Sequence, residues 1–355
     1  AQRVKLAMGG SSSNSNVVEV IDIACDECPV GGYTVTDACR GCIAHRCESA
    51  CPKGAITFDN QLKAGIDRSK CIECGRCAAV CPYSAINHRV RPCEASCKLK
   101  AISVTRDGDD DDKSAVIDND KCISCGACIY HCPFGAISDK SYIVNVIDIL
   151  KKSLGGTAYK VYAVVAPAIA SQFTYAEIGQ VIMGIRKLGF HTTVEAALGA
   201  DIVAYNEAYE LCEKGFLTSS CCPAFTELIR RRFPSLCKNI SSNVSPAAAV
   251  SKYIKKYDPN ARVIFIGPCI AKKAEYRRDE LRPYIDSVIT FEELQALFDS
   301  RSIDITVLEK TELNNASCFG RIFARSGGLS EAVNQAIKEQ KEDFTVVPEV
   351  CAGID

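Results

Sequence analysis

The 355-residue chain has no tryptophan and only two methionines. It carries no charge excess: 42 basic against 43 acidic residues leave a net charge of -1. That balance argues against a nucleic-acid binder working through a bulk positive field. No apolar run reaches about 18 residues, so no membrane span is predicted. The opening AQRVKLAMGGSSSNSN lacks the apolar core of a secretory signal. Apolar residues at 47% and charged residues at 24% are ordinary globular values and exclude general disorder. The length suffices for two domains or one large one.

What the chain has in excess is cysteine, 23 residues, of which 16 fall between Cys25 and Cys132. Spacing decides what they are for. Cys71, Cys74, Cys77 and Cys81 form C-x2-C-x2-C-x3-C before Pro82, and Cys122, Cys125, Cys128 and Cys132 repeat it before Pro133. This is the ligand run of two-cluster [4Fe–4S] ferredoxins, in which three close thiolates take one cubane and the fourth reaches the other. The crossing predicts one cluster on Cys71, Cys74, Cys77 and Cys132, and a second on Cys122, Cys125, Cys128 and Cys81. Zinc is the alternative for thiolate pairs, but two complete runs with a trailing proline favour iron–sulfur.

Four segments share C-x3-C-x3-A-I: CESACPKGAI at 47–56, CAAVCPYSAI at 77–86, CEASCKLKAI at 93–102 and CIYHCPFGAI at 128–137. The Ala-Ile pair is expected to open a short strand over a cluster. A third cluster is then expected on Cys39, Cys42, Cys47 and Cys97, and a fourth on Cys25, Cys28, Cys93 and Cys51. Zinc, or nothing, at Cys25 and Cys28 is the alternative.

The Gly/Ser/Asn stretch 1–16 reads as a flexible leader, 17–140 as the cysteine-rich domain, and 141–355 as a second domain. The acidic run DGDDDDK at 107–113 reads as a solvated loop. Beyond 140 the texture alternates. Helices are predicted over SYIVNVIDILKK, YAEIGQVIMGIRKLGF, VAYNEAYELCEKG, AFTELIRRRF, VSPAAAVSKYIKKY, FEELQALFDS and GGLSEAVNQAIKEQK. Strands are predicted over KVYAVVAPAIA, leading into a loop, over ARVIFIGPC and over IDSVIT, and HTTVEAALGADI as a short strand and a turn. That order predicts an α/β domain with a largely parallel sheet, following an α+β ferredoxin-like module. Ligands in such sheets sit where strands end.

Three loops of the second domain bring cysteine to that place: LTSSCCPAF at 217–225, FIGPCIAKKAEY at 265–276 and VVPEVCAGID at 346–355. Scattered core cysteines are the bland alternative, which suits Cys212, Cys237 and Cys318 better than the Cys-Cys-Pro and Pro-Cys turns. The three loops, in order and spacing, resemble the signature loops of the [FeFe]-hydrogenases, whose N-terminal accessory module is ferredoxin-like. The resemblance covers residues 17–355.

The resemblance implies an H-cluster, a [4Fe–4S] cubane joined to a di-iron subsite bearing CO, cyanide and an azadithiolate. By position, Cys222, Cys269 and Cys351 would ligate the cubane. Cys221 would exchange protons with the azadithiolate amine, and Lys272, next to Pro268–Cys269, would donate to a cyanide. Ala166 and Pro167 would contact the other cyanide, and Ser220 would be a further pocket donor. The implied proton relay runs from Cys221 to Glu207, Ser241 and Glu210. The alternative for Glu207 and Glu210 is an exposed helical face. The implied reaction is reversible reduction of protons to H2. Its electrons would come from ferredoxin through the accessory clusters. Maturation proteins would serve as partners, without nucleic acid or membrane, in an anaerobe's cytoplasm.

The pattern departs from the family's common form at Ser219 (Thr), Phe225 (Trp), Gly267 (Met) and Glu349 (Met), which resembles the divergent branch often called group B. The family's third loop also carries a second, bridging cysteine, and the chain stops at Asp355 before it. A fragment is therefore expected. Rival readings on the same scaffold are an H2 sensor and an iron–sulfur assembly protein. The assembly relatives lack the full thiol pair of the first loop and the lysine of the second. A plain polyferredoxin carrier would leave the α/β domain without a role.

Overall fold

A computed structural model describes residues 1–11, 14–25, 28, 31–104 and 114–349. The acidic run 107–113 and Cys351 lie outside the described residues. The chain forms two compact units. The smaller comprises Val20–Asp120 and Ala127–Ser138; the larger comprises Ala1–Glu19, Lys121–Gly126 and the chain from Asp139 onward. No helix among the described residues is long and apolar enough to cross a membrane.

In the smaller unit the four repeats fold alike. Each makes a short helix, at Arg46–Ser49, Arg76–Ala79, Pro92–Ser96 and Ala127–His131. The isoleucine of each Ala-Ile pair then opens a strand, at Ile56–Phe58, Ile86–Arg89, Ile102–Val104 and Ile137–Asp139. All four Ala-Ile pairs are buried, with the β-branched residue in the extended conformation that it favours. The strand at 56–58 pairs antiparallel with 64–66, 86–89 with 32–35, and 102–104 with 115–117. Ile56 and Ile86 share a small core with Tyr33, Phe58 and Ile66. This is the expected α+β iron–sulfur module.

The larger unit is built on a four-stranded, all-parallel sheet in the order 192–195, 161–165, 262–266, 287–289. Its central strands VYAVV and RVIFI are almost entirely buried, as unbroken apolar runs in parallel sheets require. Val181, Ile182, Ile185, Val250, Leu294 and Phe298 on three helices complete this core. Val165 lies level with Glu195 and Ile266, and Ile266 with Ile289. All four strands therefore finish together, and the loops after Val165 and Ile266 leave from one edge of the sheet.

Two expectations need correction. The turn expected after the strand at 192–195 gives way to a helix that runs from Ala196 to Lys214. Alanines at 196, 197 and 200 favour it, and Gly199 is there for packing rather than for breaking. A Cβ at Gly199 would lie 2.0 Å from the carbonyl oxygen of Pro246, where the helix Pro246–Tyr257 begins. The stretch 1–16, expected as a flexible leader, contains a helix at Gln2–Ala7 with Leu6 buried. The buried Lys140 ammonium donates to the carbonyls of Ser11 at 3.0 Å and Asn14 at 2.6 Å, and pairs with Glu19 at 3.0 Å. A buried ammonium needs these partners, and they tie the leader down.

Candidate functional site

The smaller unit arranges its cysteines around hollows, and the sets differ from those the spacing suggested. Cys71, Cys74 and Cys77 line one hollow together with Cys51, where Cys132 was the expected fourth thiol. Cys132 lines a second hollow with Cys25, Cys28 and Cys93. Burial pushes the Cys47 thiol up, and Cys42 and Cys81 lie near enough to push it further. Cys81 thus sits with the run at 39–47. The physical reason is local packing. The first two repeats contact each other through the helices 46–49 and 76–79, and the last two through 92–96 and 127–131. The fourth thiols cross between adjacent repeats, as in an ordinary two-cluster ferredoxin, and do not skip a repeat. Cys122 and Cys125 belong to the larger unit, Cys97 and Cys128 to the smaller.

The residue four places after each last cysteine also turns its backbone N–H to that cysteine's sulfur. The backbone N–H groups of Ala55, Ala85, Ala101 and Ala136 donate to the sulfurs of Cys51, Cys81, Cys97 and Cys132 at 3.2, 3.4, 3.2 and 3.3 Å. At Cys51 this bond is the main cause of a lowered thiol pKa. N–H···S bonds favour the thiolate, the form that binds metal. Burial works the other way at Cys93 and, with the nearby Glu94 and Cys25, pushes its thiol up to about 11. Four thiols around a hollow, with N–H groups turned to their sulfurs, fit a cubane.

In the larger unit the loop after Ile266 carries Gly267, Pro268 and Cys269, and leads into the helix Ala271–Glu275. The helix Pro223–Arg232 starts directly after Cys222. Cys222 and Cys269 are neighbours: burial raises the Cys269 thiol first, and Cys222 raises it next. Lys272 joins the two loops. Its ammonium donates to the Cys221 carbonyl at 3.2 Å and pairs with buried Glu275 at 2.6 Å. An ammonium has three N–H donors, so one remains for a ligand. Burial raises the Cys221 thiol, against the pull of the Ser219 hydroxyl and Lys272. These donors fit a thiolate-bound cubane beside an anionic ligand.

Two of the expected pocket residues have hydrogen-bond partners within the chain. The Ser220 hydroxyl donates to the Asn243 carbonyl at 2.6 Å, so its hydrogen is already engaged. The Ala166 N–H continues the sheet ladder to the Ile266 carbonyl at 2.9 Å, and Pro167 has no N–H. These two residues shape the edge of the sheet without offering a donor.

Glu207 and Glu210 lie on the buried face of the helix Ala196–Lys214, at 1% and 8% exposure, and not on a solvated one. Parallel pairing of Thr218 with Ile240, with the Ser241 N–H donating to the Thr218 carbonyl at 2.8 Å, holds the loop 218–222 beside the loop 240–243. Ser241 thereby donates to Glu210 at 3.1 Å. Burial pushes the Glu207 carboxyl up to about 7, against Ser241 and the Ser220 N–H. Its Oε1 is buried with no hydrogen-bond partner among the described residues. Burial also opposes ionisation of Glu210, but Lys214 at 2.6 Å, the Ser242 N–H and Ser241 together bring it below its ordinary value. Carboxylates pushed apart in this way suit successive proton carriers.

Sequence reasoning missed three partners. Asn243 donates through its amide to Glu210 and to the Ser241 hydroxyl, both at 3.1 Å; no local pattern points to it. Lys214 and Glu275 stand at helical spacing from Glu210 and Lys272, a signal that was available.

The chain is similar to known proteins in both of its parts. The family described as iron only hydrogenase large subunit, C-terminal domain, matches residues 159–350. Two 4Fe-4S dicluster domains match 38–85 and 63–133. Iron hydrogenase 1 of Clostridium pasteurianum is 30% identical over 309 residues, covering 78% of this chain and 52% of that protein. A cytosolic Fe-S cluster assembly factor of Eremothecium gossypii is 26% identical over 199 residues, covering 52% of this chain and 43% of that protein. The chain spans about half the length of the curated relatives it matches. A solved [FeFe]-hydrogenase variant from Chlamydomonas reinhardtii is 27% identical with a TM-score of 0.48, covering 56% of this chain and 58% of that one. With the hydrogenase domain matched over more than half its length, behind 4Fe-4S domains, the chain belongs to the iron-only hydrogenase family.

Proposed function

We propose that this chain is the electron-relay and proton-delivery part of a hydrogenase that interconverts protons and H2, exchanging electrons with a ferredoxin in the cytoplasm. The observation that carries the reading is the line of polar groups from Cys221 through buried Glu207 and Ser241 to Glu210. An H-cluster, when bound, supplies the redox chemistry that joins two protons and two electrons. Cys222 and Cys269, with Cys351 as the expected third thiolate, hold its cubane. Lys272, fixed by Glu275, presents its remaining N–H to an anionic ligand. Cys221 passes protons to and from Glu207, whose raised pKa lets it hold or release a proton near neutral pH. The Ser241 hydroxyl passes the proton on to Glu210.

Cys71, Cys74, Cys77 and Cys51 would hold one cubane and Cys39, Cys42, Cys47 and Cys81 another, and these cubanes would supply electron transfer. The boundary near residue 140 separates the relay from the catalytic part, and maturation proteins insert the di-iron unit.

The likeness to an assembly factor favours one second reading, a scaffold that keeps cubanes and builds no di-iron site. The test is H2 evolution by the full-length, matured protein with reduced ferredoxin. Wild type should turn over, and Cys221→Ala should lose nearly all turnover while keeping its iron. Activity surviving in Cys221→Ala contradicts the proton route; an inactive wild type favours the scaffold.

A further inference from the structure

The hollow lined by Cys25, Cys28, Cys93 and Cys132 holds a second unusual residue. Arg91 is 2% exposed. Its Nη1 donates to the Cys25 sulfur at 3.5 Å and its Nη2 to the Cys28 carbonyl at 3.0 Å. The backbone N–H groups of Ala115 and Ala136 add bonds at 3.3 Å to the sulfurs of Cys25 and Cys132. We infer that these four cysteines hold a further [4Fe–4S] cluster, and that Arg91 sets it at a higher reduction potential than its neighbours.

The inference rests on the accessory-cluster part of the function proposed above and not on the hydrogen chemistry. Its first leg is the origin of the thiols. Cys132 is the last member of a complete C-x2-C-x2-C-x3-C run, and that member serves a cluster other than its own run's. Here it lies beside a C-x2-C pair more than a hundred residues upstream and the leading cysteine of a repeat that has no pair of its own. Three separate stretches of chain thus supply four thiols to one hollow. Buried free cysteines filling a core have no reason to collect in that number around an arginine.

The second leg is charge. A four-thiolate cubane is anionic in both states and one unit more negative when reduced. A buried guanidinium and N–H···S bonds stabilise the reduced state more than the oxidised one, and so raise the potential. Half-buried Glu94 lies near Cys28 and Cys93, where its carboxylate acts in the opposite direction while its backbone N–H, bonded to the Cys93 thiol, acts in the same direction as Arg91. Among the described residues, no arginine bond like that at Cys25 reaches a sulfur of the other hollow, at Cys51, Cys71, Cys74 and Cys77. In operation the cluster takes one electron from a low-potential donor of the ferredoxin class and passes it to a neighbouring cluster. No bond forms or breaks. A higher potential makes it the site where an electron rests between deliveries.

The test uses the full chain, made anaerobically and reconstituted with iron and sulfide. Cys28→Ser and Cys93→Ser should each remove about four iron atoms and the same paramagnetic signal. Arg91→Gln should keep its iron and shift one cluster's midpoint potential negative by about a tenfold change in the reduction equilibrium, about 59 mV for one electron. Arg91→Lys should shift it less in the same direction, and Glu94→Gln in the opposite direction. Unchanged iron in both cysteine variants, or loss of one zinc in place of iron, overturns the site. An unmoved potential in iron-replete Arg91→Gln overturns the tuning; if that variant loses its cluster, an unmoved potential in Arg91→Lys does so. None of these readings depends on H2 turnover.

Discussion

Glu207 and Glu210 stand one turn apart on the same buried helix face, yet their carboxyls are driven in opposite directions. Burial lifts Glu207 to about 7, whereas Lys214 and the loop 241–243 bring Glu210 below its ordinary value despite its own burial. A carboxyl that titrates near neutrality and an ionised acceptor therefore sit on either side of the Ser241 hydroxyl.

This arrangement predicts that Glu207→Gln lowers H2 turnover at least about 100-fold, the usual worth of a positioned acid–base group. Cys221→Ala should cost a similar factor. The double variant should lose little more than either alone, because serial carriers are not additive. Steady-state rates of the matured protein check this; independent, multiplying losses would contradict a single route.

Stability should also depend on pH through Glu207. Its pKa is about 7 in the fold against an ordinary 4.5, so the folded state binds the proton more tightly. The contribution is fully present below about 4.5 and is lost as pH rises through about 7, by at most about 3 kcal/mol. Glu207→Gln should flatten that decline. Denaturant midpoints across the range decide it, and equal slopes in both proteins would contradict the burial argument.

Lys272 and Glu275 form a buried pair at 2.6 Å. Lys272→Met should destabilise the chain by about 3 kcal/mol, because it strands a buried carboxylate. Adding Glu275→Gln should recover most of that loss. Chemical denaturation of the metal-free chain measures both; no recovery would mean that the lysine stabilises through its packing alone.

The crossing of the fourth thiols makes a further prediction. Cys51→Ser should remove the same paramagnetic signal as Cys71→Ser, and Cys81→Ser the same signal as Cys47→Ser. If Cys132→Ser shared its loss with Cys71→Ser instead, the crossing would skip a repeat.

Much of this was legible in the residues. The Cys–Pro runs and the three thiol loops identified the chemistry, and the Ala-Ile pairs marked strands that form at Ile56, Ile86, Ile102 and Ile137. The alternation of strands with helices beyond residue 140 marked the parallel sheet. What stayed hidden depended on contacts distant in sequence. Nested repeats of equal spacing cannot say which neighbour receives Cys51 or Cys132; short-range helix and strand packing decides that. Gly199 reads as a breaker until the helix at Pro246 is seen against it. Asn243 bears on Glu210 only because Thr218 pairs with Ile240.

The most direct test of the central claim is the infrared spectrum of the full-length protein, matured and purified without oxygen. Bands of iron-bound CO and cyanide should be present in wild type and absent in Cys269→Ser, whose accessory clusters persist. A wild-type spectrum without such bands, in protein holding all its cubanes, would contradict the account.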